Sequence, residues 1–113
     1  MAVIVASGDP AGLLKAIKAE VESGVIEGWS CDNDGDFTHT STRWKNKAWF
    51  RPSIEAERVV FNILAPKDAR MTRFDYGVYH GRFIEMLLNH FDLKFSSARA
   101  TALPTSHDYV GSD

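Results

Sequence analysis

The stretch from Thr72 to Phe91, TRFDYGVYHGRFIEMLLNHF, constrains the fold of this chain more than any other. At about 100° per residue it places Tyr76, Tyr79, Phe83, Ile84, Met86, Leu87, Leu88 and Phe91 on one broad sector, with Arg82, Glu85, Asn89 and Asp92 opposite. A sector that wide cannot be covered at the rim of a protein. The helix is expected to lie across a sheet, and the rest of the chain is read as its cover.

The start of this helix is explicit in the residues. Thr72 stands at the N-cap, Asp75 follows three residues on as the return arm of a short capping box, and Met71 and Tyr76 occupy the two staple positions. Two interior glycines work against it, since each costs about 1 kcal/mol relative to Ala. Gly77 and Gly81, four apart with His80 beside them, make a candidate groove on one helix edge. The expected occupant is the backbone of a neighbouring strand, and the functional alternative is a ligand or partner chain.

A chain of 113 residues builds one domain around one core. That domain is expected over residues 1–103, followed by a polar, mobile tail over 104–113. A formal charge of −2 argues against a protein that binds polyanions over its whole surface, so any basic site has to be local. The lone cysteine, Cys31, excludes an internal disulfide framework and fits a reducing compartment. No apolar run reaches the roughly 18 residues of a membrane span. The opening MAVIVASGDP lacks a basic leader region, and a cytoplasmic location is expected.

Taken in order, Met1 to Val5 reads as an edge strand or a loose arm. Asp9-Pro10 opens a first helix and Gly24 closes it, with Leu13, Leu14, Ile17 and Val21 as its apolar stripe. From Val25 the period changes to 2, which predicts a strand with Val25, Trp29 and Cys31 on one side. Asp34-Gly35 marks a hairpin into Phe37–Thr42, and a turn at Lys45-Asn46 leads to a strand from Ala48 to Arg51 that Pro52 ends or puts at an edge. Arg58 to Leu64 is the most apolar strand, with Val59, Phe61 and Ile63 as its core set. After the long helix, LKFSSARATAL alternates with a small-residue side suited to lie beneath a helix, where the glycine groove would receive it. The predicted fold is α+β in two layers, a mainly antiparallel four- to five-stranded sheet with two helices on one face, in the order α-β-β-β-β-α-β. Its other face must meet water, a partner or a second copy.

The most unusual local composition is RWKNKAWFR, residues 43–51. Strand alternation puts Lys47, Trp49 and Arg51 on one face and Ala48 and Phe50 on the other, and a row of cations and aromatics suits a binding surface. Arg43, Trp44, Lys45, Lys47, Trp49 and Arg51 are the candidate binding residues. A protein partner or a homodimer is the first reading, because large aromatics are enriched where proteins meet. Single-stranded nucleic acid is the alternative, since the same residue types supply phosphate contacts and stacking surfaces.

Signals for chemistry are weaker. Asp32, Asp34 and Asp36 fail the calcium-loop template, because Gly35 is at its fourth position and Arg43 at its twelfth, and a solvated hairpin turn accounts for them. Cys31 and His39 can face each other across that hairpin, but no second cysteine or close-spaced histidine pair supports a metal centre. A third functional reading is a small phosphodiester hydrolase, with Tyr79, His80 and Arg82 at a helix edge and Glu55 or Glu57 brought near. No catalytic set, metal or cofactor is assigned from the residues alone.

Overall fold

The structure, a computed structural model, describes residues 1–111. Its elements are β1 (Ala2–Ala6), α1 (Pro10–Glu22), β2 (Trp29–Cys31), β3 (Phe37–His39), β4 (Trp49–Glu55), β5 (Arg58–Leu64), α2 (Arg73–Phe91) and β6 (Ser97–Ala100). The strands pair antiparallel in the order β2-β3-β4-β5-β1-β6, and both helices pack on one face of that sheet. The α+β class and the two-layer arrangement agree with the sequence reading. The sheet has one strand more than expected because the first residues are neither a loose arm nor an edge: β1 lies between β5 and β6, with Ile4 opposite both Val60 and Arg99. Among the described residues no helix is long and apolar enough to cross a membrane.

The helix ends follow local chemistry. Asp9 caps α1 by accepting the Gly12 N–H at 3.1 Å, and Pro10 occupies the first turn, where its missing donor costs nothing. Thr72 and Asp75 form the reciprocal capping box of α2, with the two side chain to backbone bonds at 3.2 and 2.9 Å. Six residues of α2 are buried: Tyr79, His80, Phe83, Met86, Leu87 and Phe91. Leu88, expected on the buried sector, is 54% exposed at its margin.

Phe83 is the centre of the core. Its ring lies 4.7 Å from both Phe50 and Phe61 and 5.1 Å from Trp29, so one side chain of α2 touches three neighbouring regions of the sheet. Val59, Phe61 and Ile63 are fully buried, as their alternation in β5 requires. Full burial of each such side chain stabilises the fold by about 1.5–3 kcal/mol.

Local turns shorten two predicted strands: the one expected from Val25 on is reduced to Trp29–Cys31, and the one expected over Phe37–Thr42 to Phe37–His39. Gly24 and Gly28 both adopt positive φ, at 83° and 91°, so Val25 to Glu27 is a bent connection. Val25 is therefore 64% exposed, and Ile26 enters the core in its place. Pro52 does not end β4, which continues to Glu55. Pairing with β3 reaches only Phe50, so Pro52 stands where β4 has no partner on that side.

The polar segment after Pro104 makes contacts that its composition does not announce. Pairing of β1 with β5 begins at Ala2 and Asn62, leaving the last residues of β5 unpaired on that side. Tyr109 fills the gap as a parallel bridge to Leu64, giving its N–H to Ile63 at 2.9 Å and accepting the Ala65 N–H at 2.6 Å. The Asp108 side chain is fully buried and accepts the N–H groups of Ile63 at 3.0 Å and Thr105 at 2.7 Å, with the Met1 ammonium 3.1 Å away. Positions 112 and 113 of the expected tail lie outside the described residues.

Candidate functional site

Because both helices take one side of the sheet, the residues of alternate parity stand on the other. Strand register arranges them in rows: Trp49 beside Leu64, Arg51 beside Asn62 and Ala2, and Ser53 beside Val60, Ile4 and Arg99. No helix covers this face among the described residues, although Ala2, Val60 and Asn62 on it are buried. The segment at Thr105 to Tyr109 raises a wall along it, helped by a Thr105 hydroxyl bond to Asn62 Oδ1 at 2.9 Å. Between wall and β4 lies a groove of about 440 Å³, lined by Arg51, Ser53, Glu55, Asn62, Leu64 and His107.

The cations here are partly spoken for. Arg51 grips Asp36 with two bonds, Nε to Oδ1 at 3.1 Å and Nη2 to Oδ2 at 2.8 Å, while over half of its side chain remains exposed. Arg58 pairs with Glu55 across the hairpin. Arg99 makes no ion pair among the described residues and stands exposed on edge strand β6.

The hairpin carboxylates are organised by the turn. Asp32 Oδ1 accepts the N–H groups of Asp34 and Asp36, both at 2.9 Å, and Gly35 takes the positive φ of 83° that the turn needs. One oxygen from each of Asp32, Asp34 and Asp36 lies within 4.8 Å of the others, with Arg51 as the cation beside them.

The basic and aromatic run 43–51 divides between two sides of the molecule. Trp49 and Arg51 belong to the uncovered face, whereas Trp44 is half-buried, with the Arg43 guanidinium 5.1 Å over its ring. Lys45 and Lys47 are exposed in a turn that Asn46 makes by adopting a φ of 57°. That turn is tied down by Tyr79, whose hydroxyl donates to the Trp44 carbonyl and lies 3.3 Å from both the Lys47 N–H and the Thr38 hydroxyl. The sequence places Tyr79 in the apolar sector and, in the hydrolase alternative, at a helix edge with His80 and Arg82, but nothing local shows where its hydroxyl goes.

Trp44 instead lines a cleft of about 260 Å³ on the helix side, between one edge of α2 and the strands β2 and β3. Trp29, His39, Ser41, Arg82 and Glu85 share it. His39 Nδ1 accepts the Ser41 N–H at 3.1 Å, and burial together with the Arg82 charge lowers its pKa below the ordinary histidine value. The neutral ring therefore carries its proton on Nε2. The Ser41 hydroxyl is buried and has no hydrogen-bond partner among the described residues.

Three expectations are corrected by this geometry. Gly77 and Gly81 do not receive a strand: a Cβ at either would meet nothing within 4 Å, because both lie on the outer side of α2. His80, expected beside them in one groove, turns the other way and is 5% exposed, with Nδ1 on the Tyr76 carbonyl. Cys31 faces Phe37 and not His39, which is opposite Trp29, and burial raises the Cys31 thiol pKa. Arg82, His80 and Glu55 likewise stand apart, the first in the helix-side cleft, the second in the interior and the third on the uncovered face.

No family model, curated protein or solved structure matches this chain.

Proposed function

We propose that this chain is a small non-catalytic binding domain that holds a protein partner on the uncovered face of its sheet. The observation that carries the reading is the placement of Trp49 and Arg51 on that face, next to a groove, while the opposite face is filled by both helices. Tryptophan and arginine are the side chains that most often dominate binding energy at protein contacts. Trp49 and Leu64 form one half-buried apolar row, Val60 and Ile4 lie two rows along, and arginines stand between and beside them: Arg51 in the intervening row, Arg99 next to Ile4 and Arg58 one row further on. Arginine around an apolar centre favours a partner with acidic residues at its rim.

A photo-crosslinking side chain at Ser53, within the groove, tests this in the cells that make the protein. The expected result is a discrete cross-linked species that disappears in Trp49→Ala, persists in Lys18→Ala on the outer face of α1, and is absent when the cross-linker is placed at Lys15 instead. Equal capture from Ser53 and Lys15, or capture from Ser53 that Trp49→Ala leaves unchanged, would refute the reading. A doubling of solution mass with concentration that Trp49→Ala abolishes would replace the partner by a second copy.

A further inference from the structure

The edges of the sheet are not equally protected. β2 closes one side with only three residues. β4 beyond Phe50 is free on the β3 side, but strand alternation turns Pro52 toward that gap, where its ring nitrogen has no hydrogen to offer. Short strands and edge prolines are ordinary protections against stray pairing. β6 has no such device: Ser97–Ala100 carries no proline, no bulge and no positive φ, and it pairs with β1 alone.

The bonds already made fix where its free groups point. Ser7 gives its N–H to the Glu57 carbonyl at 2.9 Å, so the odd residues of β1 turn their backbone toward β5 and the even ones toward β6. Thr101 accordingly bonds the Ala2 carbonyl at 2.9 Å and Arg99 stands opposite Ile4. Ala98 and Ala100 then turn N–H and C=O outward, with no partner among the described residues. Their methyl groups do not shield those groups, and lie on the helix side opposite the buried Val5 and Val3. Arg99 points to the other face, without an ion pair among the described residues. Leu93 and Leu103, 96% and 76% exposed, stand within four residues of the two ends of the strand.

We propose that β6 takes up an extended segment of another protein as one further strand, with an acidic residue of that segment opposite Arg99 and an apolar residue on either side of it. Backbone bonds to Ala98 and Ala100 supply the hold, and alternate side chains supply the choice. Because the Arg99 backbone faces β1, its side chain meets the new strand at a closely spaced pair, where opposite charges attract and like charges repel. A second copy is a poor occupant for that reason: the two-fold antiparallel register that engages both alanines sets Arg99 against its own counterpart. The apolar residues fall over Ala98 and Ala100 on the helix side, where the small side chains leave room. This edge is separated from β4 by β5 and β1 and stands independently of the Trp49 reading.

The probe is a capped seven-residue peptide, valine-glutamate-valine at its centre and threonine at the other positions, titrated into the full chain and followed by NMR. In the free chain the Ala98 and Ala100 amides should exchange with solvent freely while the Arg99 and Thr101 amides are protected. The peptide should shift and protect the two alanine amides in a saturable way at millimolar concentration or tighter. The same peptide with lysine for glutamate should bind about fivefold more weakly or worse, and Arg99→Glu should reverse that preference. Ala100→Pro removes an outward N–H that β1 does not use, so it should abolish binding and leave the β1 resonances in place. Trp49→Ala should leave peptide binding unchanged. Alanine amides already protected in the free chain, no saturable shift at millimolar peptide, or equal binding of the two peptides would each overturn the proposal. Self-association that protects these amides without peptide would overturn it in favour of a second copy.

Discussion

His80 is the clearest case of a side chain whose surroundings decide its chemistry. It is 5% exposed and packs edge-on to Phe50 at 5.2 Å, and burial lowers its pKa below the ordinary value near 6.5 despite the Tyr76 carbonyl on Nδ1. Well above pH 6.5 the ring is neutral in both folded and unfolded chains, so it contributes no pH dependence there. Below that value the unfolded chain takes up a proton that the folded chain resists, and stability falls with falling pH by up to about 1.4 kcal/mol per unit for one such group. Urea unfolding at pH 7.5 and 5.5 should show this loss, and His80→Leu should reduce it. His39 shifts in the same direction and leaves a residual slope in that variant. An unchanged slope would assign the effect to other groups.

Helix α2 carries a cost that its surroundings do not require. Gly81 lies in the helix interior, exposed, with open space where a Cβ would go, so Gly81→Ala should stabilise the protein by about 1 kcal/mol. Chemical denaturation measures this directly, and a loss of stability would mean that the outer side of α2 is occupied. The sequence reading of these glycines failed because spacing shows that a groove exists and not which way it faces. The reading of the cap succeeded because Thr72 and Asp75 satisfy each other within one turn. β4 shows the same division, since Pro52 does limit pairing, but on the side of β3 alone.

Across the whole molecule, distant segments meet at Asp108. Its buried carboxylate joins β5, the turn at Thr105 and the first residue of the chain. Asp108→Ala leaves the Ile63 and Thr105 N–H groups without their acceptor and should destabilise the protein by at least about 2 kcal/mol. Unfolding midpoints of the two chains give the comparison, and a difference under about 0.5 kcal/mol would show that the segment adds nothing. The segment also forms one wall of the sheet-face groove through His107, so stability and site share a support.

Both candidate sites were only half legible in the residues. Strand parity correctly separates Trp49 and Arg51 from the buried Ala48 and Phe50, because alternation is a property of the extended backbone itself. It gives no hint that Asp36 engages Arg51 or that Trp44 turns to the opposite side to line a cleft with His39 and Arg82. Helix caps, the hairpin at Gly35 and the core set of β5 depend on residues within a few positions of one another, and the chain specifies them locally. The central place of β1, the docking of Tyr109 on β5 and the gathering of the cleft depend on pairings between remote parts of the chain. Those were decided only when the apolar faces of α1 and α2 had to be covered by a single continuous sheet, since burial rewards total area and carries no memory of position in the sequence.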